Sequence, residues 1–236
     1  MSAWTETAEL HDPQFVLGID TCGPSGSVAL ARLSGDAVEI LGQAELAGRT
    51  YSARLIAALS ELLSGEGIGL AEISAIVAVH GPGSFTGVRV GLSAVKGLAE
   101  GRSLGVVPVS RLAVLAFAAG TGWAALDAHR QEIFLRRTPP GQDPSELLAG
   151  REDLVKMAPP ARIAYCDEPV EDLLRSAWPD AEQVRAPAPA AVHAISLCAR
   201  RVTTREFTDP IVLDGHYLRR SDAEIFAPSG GPARSE

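Results

Sequence analysis

The segment from Gly18 to Leu30, GIDTCGPSGSVAL, contains residue types that could hold a metal ion or a phosphate. Its carboxylate, Asp20, ends a short apolar run and precedes a turn rich in Thr, Ser and Gly. A carboxylate in this place can ligate a cation, and the backbone N–H groups of such a turn can face a phosphate. The same spacing fits a tight hairpin in which Asp20 accepts a hydrogen bond from its own turn. The residues alone leave both interpretations open.

A second candidate is His80–Ala99, HGPGSFTGVRVGLSAVKGLA, in which a Gly-Pro-Gly break leads into a predicted helix. With Ser84 as its N-cap, the free N–H groups at the helix start could bind an anion. Close packing is the competing interpretation. Gly87 and Gly91 each cost a helix about 1 kcal/mol relative to Ala, and close approach of another helix or strand backbone would offset that loss. We favour packing because it accounts for the whole helix, whereas anion binding accounts only for its start.

The remaining candidates are weaker. Asp127, His129 and Glu132 could form a catalytic group, but a solvated turn between two strands explains them more simply. No two histidines lie within five residues of each other, so a helical zinc site is not expected. The sequence also has no G-x-S-x-G nucleophile elbow and no Walker-type phosphate loop.

Composition narrows the class of protein. The chain has 236 residues, 46% hydrophobic and 21% charged, with a net charge of −8, which is typical of a folded domain without a basic nucleic-acid-binding face. Three cysteines without a C-x-x-C pair indicate reduced thiols, and the polar N-terminus resembles no targeting signal, so we expect a cytoplasmic protein. The longest uncharged run, Leu112–Leu126, is too short to span a membrane.

Hydrophobic patterning predicts an α/β fold. In the first half, predicted strands cover Phe15–Asp20, Val28–Leu33, Val38–Glu45, Ile73–Val79 and Leu104–Val109. One predicted helix begins after Thr50 as its cap and ends near Gly65, and another covers about Ser84–Glu100. The order βββ-α-β-α-β implies parallel neighbours. The second-half predictions are helices at Ser110–Ala119, Val170–Trp178 and Ala190–Arg201, and strands at Trp123–Asp127, Glu132–Arg137 and Ile163–Cys166.

Several of these segments resemble one protein family. VLGIDT near the start, HGPGSFTGVRVGLSAVKGLA, LDAHRQEIF and YLRRSDAE at Tyr217–Glu224 are similar to segments of the bacterial TsaB (YeaZ) family. The resemblance is strong over residues 15–135 and patchy afterwards. Three positions depart from the family pattern: Cys22 follows Asp-Thr, Tyr51 stands where many relatives have His, and His216 precedes the Tyr-Leu-Arg motif where Pro is common.

The resemblance implies an actin-like ATPase (ASKHA) or RNase H-like fold, with two subdomains that have mixed central sheets, the second of them reduced. The expected divisions are an N-terminal subdomain over 1–109, a reduced C-terminal subdomain over 110–226 and a flexible tail over 227–236. The family takes part in making threonylcarbamoyladenosine in tRNAs that read codons beginning with A. Its members are implied to be non-catalytic partners of the metal-bearing paralogue TsaD, joined by the ATPase TsaE, with no cofactor or metal of their own.

The resemblance also implies where the partner would dock, namely on the two helices of the N-terminal half. We therefore expect a homodimer in isolation, a heterodimer with TsaD, and an interface of standard size, about 1,600 Å². The apolar residues predicted to form this interface are Leu55, Leu59, Leu62, Phe85, Val88, Leu92 and Val95.

Two other functions compete with this one. The chain could be a metal- or ATP-dependent enzyme of the glycoprotease type, although it has no visible set of metal ligands or activated nucleophile. Direct tRNA binding could use Arg200, Arg201 and Arg205 or Arg219 and Arg220, but solvated helix and strand ends explain these residues as well. We expect contact with tRNA only through a complex.

Overall fold

The computed structural model describes residues 14–35, 37–48 and 50–219, so the predicted tail at 227–236 lies outside it. The strands form two five-stranded sheets, each of which mixes parallel and antiparallel pairs. Among the residues described, we find no helix with the length and apolar character that a membrane span requires.

Along the chain, the helices and strands of the first half follow one another in the predicted order βββ-α-β-α-β. Its strand order is β3-β2-β1-β4-β5, with β1 antiparallel to β2 and parallel to β4. The elements of this half are β1 (Gln14–Asp20), β2 (Ser25–Ser34), β3 (Ala37–Ala47), α1 (Tyr51–Gly65), a 3₁₀ turn (Leu70–Glu72), β4 (Ile73–Val79), α2 (Phe85–Arg102) and β5 (Gly105–Val109). The three central strands are almost wholly buried, as apolar runs of this kind require.

The second sheet repeats this topology, with the order β10-β9-β6-β7-β8. The remaining elements are α3 (Arg111–Ala118), β6 (Ala124–Asp127), β7 (Glu132–Arg137), β8 (Ser145–Gly150), α4 (Arg151–Lys156), β9 (Arg162–Tyr165), α5 (Glu168–Ala177), β10 (Glu182–Arg185) and α6 (Ala191–Thr203). The sequence did not predict β8, α4 or β10. Both missed strands lie at sheet edges, where partial exposure removes the apolar pattern that marks a central strand.

Helix α6 packs in the first half of the molecule. Although it follows the second sheet in the chain, its apolar residues, among them Ile195 and Val202, belong to the core of the first sheet. A Cβ at Gly18 would come within 2.9 Å of the Ala191 carbonyl oxygen, so glycine in β1 allows this close approach. The core of the first sheet therefore includes a helix that comes after the second sheet in the chain.

The predicted N-cap hydrogen bond is present at α2 but absent at α1. Ser84 caps α2, because its hydroxyl oxygen accepts a hydrogen bond from Gly87 N at 3.3 Å. Thr50 occupies the N-cap position of α1, but its hydroxyl donates to the Ala47 carbonyl at 2.7 Å instead of accepting from the helix. The predicted start of α1 is thus right and the predicted capping bond is wrong.

Candidate functional site

A cleft of about 1370 Å³ is lined by residues of both halves of the chain. On the first-half side, its wall consists of the turn after β1 and the starts of α1 and α2. On the other side, the wall contains Asp167 and the β6–β7 turn. The segment Leu213–Arg219, which we call the strap, supplies the remaining wall through His216 to Arg219. The cleft thus brings together the Asp20 turn, the start of α2 and the Asp127 cluster.

Asp20 ends β1, as predicted, and is fully buried. Its Oδ1 accepts a hydrogen bond from Cys22 N at 2.8 Å, which is the bond that the hairpin interpretation requires. Its Oδ2 lies 3.5 Å from Nε of Arg111, a buried residue at the first position of α3. The sequence analysis did not predict this ion pair. The feature that could have indicated it is Arg111, a single arginine at the start of an otherwise apolar helix.

The pair brings two opposite charges into the protein interior. Burial raises the pKa of the Asp20 carboxyl above its usual value, although the Arg111 guanidinium and the hydrogen bond from Cys22 N partly oppose that rise. Burial alone would lower the pKa of Arg111, but the Asp20 charge outweighs it and the pKa is raised, which keeps the guanidinium charged. Asp20 Oδ2 and Arg111 Nε have no hydrogen-bond partner among the described residues. The two groups therefore depend on each other for compensation.

The start of α2 presses against the turn that follows Asp20. A Cβ at Gly87 would overlap the Thr21 carbonyl oxygen, and a Cβ at Gly91 would overlap the Thr21 hydroxyl. Ser84 N donates to the Cys22 carbonyl at 2.8 Å, so one of the N–H groups at the helix start is already used within the chain. These contacts confirm that Gly87 and Gly91 are needed for close packing, but the partner is the β1–β2 turn and not the helix or strand backbone that was expected, and at Gly91 the contact is with a side chain.

Tyr51, the first residue of α1, also supports this turn. Its hydroxyl donates to the Gly23 carbonyl at 2.7 Å. Burial and the nearby Asp20 charge raise the pKa of Tyr51 to about 12, so the phenol stays protonated. In the part of the chain that the structure describes, no three His, Cys, Asp or Glu side chains are grouped so that they could hold a metal ion.

The structure places most of the predicted interface residues in the chain's own core. Leu55, Leu59, Val88, Leu92 and Val95 are buried in the core of the first sheet. Leu62 is half-buried against that core, and Phe85 is about half exposed. In this chain α1 and α2 thus use five of the seven side chains to cover their own sheet, and only Leu62 and Phe85 retain substantial exposure.

The outward side of these two helices has a different composition. It carries small residues, larger apolar residues and charged residues such as Arg54 and Glu61. Among its exposed or half-exposed members are Ala53, Ile56 and Ala57 on α1 and Phe85, Arg89, Val90, Ser93, Ala94 and Gly97 on α2, and we call this set the outer face. The Arg89 guanidinium lies 3.9 Å from the centre of the Phe85 ring.

The Asp127 cluster forms a strained turn. His129, Arg130 and Gln131 all have positive φ, near +60°, which ordinary residues rarely adopt. The Asp127 carboxylate holds the turn by accepting from His129 N at 2.7 Å and by pairing with His129 Nδ1 at 2.9 Å. Glu132 pairs with Arg219 of the strap. The solvated-turn interpretation thus fits the exposed His129 but not Glu132, which is tied to another segment.

The strap connects the two halves across the cleft. On the first-half side, His216 N donates to the His80 carbonyl at 2.7 Å, and the rings of Tyr217 and Phe85 lie 5.4 Å apart. On the other side, Arg219 donates to the Ala128 carbonyl at 2.8 Å. Asp214, Gly215 and His216, which precede the Tyr-Leu-Arg segment, all lie in this strap.

Glu146 on β8 contacts His216 of the strap and two other polar side chains. Its carboxylate accepts from Ser110 Oγ at 2.6 Å and from Arg136 at 2.8 Å, and lies 2.8 Å from His216 Nε2. Burial acts to raise the pKa of Glu146, but the hydrogen bonds from His216, Ser110 and Arg136 outweigh it and leave the pKa below its usual value. This carboxylate joins the second sheet to the strap and to the start of α3.

Comparison with known proteins decides the family. The family model described as "TsaD: tRNA N6-adenosine threonylcarbamoyltransferase" matches residues 42–187, more than half of the chain. The chain belongs to the TsaD-related family. Within that family it is similar to the TsaB/YeaZ proteins, and the two-sheet architecture is the actin-like ATPase type with two subdomains.

The TsaB likeness comes from sequence and from structure. The "tRNA threonylcarbamoyladenosine biosynthesis protein TsaB" of Haemophilus influenzae is 39% identical over 125 residues, which cover 50% of this chain and 51% of that protein. The TsaB of Escherichia coli is 34% identical over 128 residues, 50% of this chain and 52% of that protein. This chain therefore spans about half the length of the curated relatives it matches. A solved Pseudomonas aeruginosa protein, described as similar to peptidase YEAZ, superposes with a TM-score of 0.72 at 26% identity, over 87% of this chain and 100% of that one.

Proposed function

We propose that this chain is a non-catalytic subunit that dimerises with TsaD, the catalytic paralogue, and activates it. The reaction is threonylcarbamoyl transfer to the adenosine next to the anticodon of tRNAs that read ANN codons. Two observations support this assignment: the likeness to proteins named for threonylcarbamoyladenosine biosynthesis, and the match to the TsaD family model. TsaE is the proposed third component of the complex, and no cofactor is assigned to this chain.

The observation that carries the non-catalytic role is the pair of Asp20 and Arg111. Asp20 is the carboxylate that could have held a cation at the phosphate-type turn, and a guanidinium already compensates its charge at 3.5 Å. A divalent cation beside Asp20 would have to be placed next to this buried positive charge, which Coulomb repulsion in a weakly screened interior disfavours. The turn is therefore suited to a structural role.

The outer face supports pairing through α1 and α2. Small side chains such as Ala53, Ser93 and Gly97 let the backbones of a partner's helices approach closely, while Ile56 and Phe85 provide exposed apolar area. An exposed apolar side chain gains most when a partner covers it completely. We propose that the same face forms a homodimer when TsaD is absent and the TsaD heterodimer when it is present.

Contact with tRNA is proposed to occur only through the complex. Arg201, one of the candidate basic residues, donates to the Pro108 carbonyl at 2.8 Å and lies 3.9 Å from Glu206, so part of its charge is used within the chain. With a net charge of −8, the chain provides little attraction for a phosphate backbone.

Reconstitution tests the function. Purified TsaD and TsaE are supplied with tRNA and with threonylcarbamoyl-adenylate as the donor, which loses its adenylate group on transfer, and are assayed for threonylcarbamoyladenosine with and without this chain. We expect the activity to require the chain. The chain alone should show none. The isolated chain, without TsaD or TsaE, is titrated with Mg-ATP and with zinc by calorimetry. Tight binding of either, or modification by the isolated chain, would favour the enzyme alternative and contradict the proposal.

Light scattering after size exclusion tests the pairing face. Ile56→Asp places a charge on the outer face, whereas Val155→Asp changes a similarly exposed residue on α4; the exposed fractions are 54% and 58%. We expect Ile56→Asp to weaken homodimer and heterodimer at least tenfold. Val155→Asp should leave both unchanged. Equal behaviour of the two variants would place the interface elsewhere.

A further inference from the structure

The strap is the element that contacts both walls of the cleft within a few residues of chain. Leu213 is buried in the first core, and Leu218 packs against the cluster formed by α3 and the second sheet. Between them, His216 binds the His80 carbonyl on one side and Glu146 on the other. A change in the separation of the two halves must therefore break contacts of the strap with at least one of them.

One strap contact lies at the border of the outer face. The Tyr217 ring lies 5.4 Å from the Phe85 ring, and Arg89 of the outer face covers Phe85 in turn. Two residues beyond Tyr217, Arg219 binds the Ala128 carbonyl and Glu132, which belong to the β6–β7 turn across the cleft. A continuous series of direct contacts thus runs from the start of α2 to the far wall.

The far end of this series is a turn that needs outside support. Three consecutive residues with positive φ cost roughly 1–2 kcal/mol each, and such backbone persists only where its surroundings hold it. Arg219 contacts both the residue before this strained stretch, Ala128, and the residue after it, Glu132. Loss of the strap would therefore loosen this turn before it affects the sheets.

We propose that the strap holds the cleft at a fixed width and couples the outer face of α2 to the β6–β7 turn. Occupancy of the outer face by a partner immobilises Phe85, Phe85 fixes Tyr217, and Arg219 then holds the strained turn more firmly. The coupling to a partner rests on the proposed pairing through α1 and α2. The coupling between Phe85 and the turn is a property of this chain alone.

Hydrogen exchange measured by NMR tests the coupling in the isolated chain. Two amides report on the turn, Ala128 N, which donates to the Glu132 carbonyl at 3.0 Å, and Glu132 N, which donates to the His129 carbonyl at 3.0 Å. We expect Phe85→Ala and Tyr217→Ala each to speed exchange of both amides about two- to tenfold, as the loss of an aromatic pair would. The double variant should show no more than the larger single effect, since both act through the same contact.

Two control variants accompany this double-mutant cycle, which consists of Phe85→Ala, Tyr217→Ala and the double variant. Phe117→Ala removes an aromatic ring of similar exposure from α3, 46% against 41% for Tyr217, and should leave the turn amides unchanged. Tyr217→Phe keeps the ring and should restore the original exchange rates, which also covers the case in which Tyr217→Ala fails to fold. Unchanged amides in Phe85→Ala, or effects that add fully in the double variant, would overturn the coupling.

The same amides are then followed in the complex with TsaD. We expect pairing to slow their exchange in the unmodified chain but not in Tyr217→Ala. Pairing without any slowing would overturn the coupling and leave the proposed function intact. Absence of pairing would overturn the proposed function, while the cycle in the isolated chain still decides whether the strap couples Phe85 to the turn.

Discussion

Asp20 Oδ2 lies 3.5 Å from Arg111 Nε in a fully buried site, and among the described residues neither atom has a hydrogen-bond partner. The two residues join the end of β1 to the start of α3, and so they connect the first sheet to the chain that enters the second. Asp20 also organises its own turn by accepting a hydrogen bond from Cys22 N, and both Cys22 and Arg111 line the cleft.

Removing one member of this pair should be far more damaging than removing both. Arg111→Met leaves a buried, uncompensated carboxylate and should lower the free energy of unfolding by about 3–5 kcal/mol. The double variant Asp20→Asn, Arg111→Met removes both charges and should recover most of that loss. Denaturant titration gives the free energy of unfolding of the single and double variants. Additive losses in the double variant would show that the residues do not compensate each other.

Glycine at position 87 should be required, whereas glycine at 101 should not. A Cβ at Gly87 would overlap the Thr21 carbonyl oxygen, so Gly87→Ala must displace the turn or α2 and should destabilise the chain by about 1–3 kcal/mol. Gly101 lies in the last turn of the same helix with open space around it, and Gly101→Ala should be neutral or stabilise by up to about 1 kcal/mol. Thermal and denaturant unfolding compare the two, and a similar gain at both positions would contradict the packing role of Gly87.

Glu146 should make the free energy of unfolding depend on pH in the acidic range. Its pKa in the folded chain lies below the usual 4.5, so the unfolded chain binds more protons in that range. The stabilisation is therefore complete above about pH 4.5 and is lost as the pH falls through the folded-state pKa. Glu146→Gln should be about 1–2 kcal/mol less stable at neutral pH and should lose less stability on acidification to about pH 3.5.

The control for this pH dependence is Glu39→Gln, which changes an exposed carboxylate that pairs with Arg32. An exposed pair of this kind contributes little, so its stability curve should run parallel to that of the unmodified chain. If Glu146→Gln also ran parallel, the hydrogen bonds to Glu146 would not favour its charged form.

Sequence patterns predicted the elements that are periodic and central. The strand Ile73–Val79 was predicted with the bounds observed, because a short, nearly all-apolar run rich in β-branched residues and followed by a glycine-rich break is typical of a buried strand. The apolar rows of α1 and α2 were also recognised, but a row such as Leu55 and Leu59 has the same pattern whether it covers the chain's own sheet or a partner. Only the three-dimensional structure separates these cases, and it places both residues in the core.

The candidate site depended on contacts between residues far apart in the chain. The hairpin bond of Asp20 and the close packing at Gly87 follow from local spacing, and both were predicted. The pairing of Asp20 with Arg111, the return of α6 to the first sheet and the position of Tyr217 beside Phe85 involve distant segments without a shared motif. A single sequence contains no pattern that places such segments together, so these features required the structure.

The strained β6–β7 turn should respond to substitution according to backbone conformation alone. Gln131 is exposed and has φ of +62°, a value that glycine adopts without penalty and β-branched residues strongly resist. Gln131→Gly should therefore raise the free energy of unfolding by about 0.5–1 kcal/mol, because the relief of strain exceeds the entropy that glycine adds to the unfolded chain. Gln131→Val should lower it by about 1–2 kcal/mol. Denaturant unfolding of both variants measures the difference, and equal stabilities would mean that the turn does not hold this positive φ in solution.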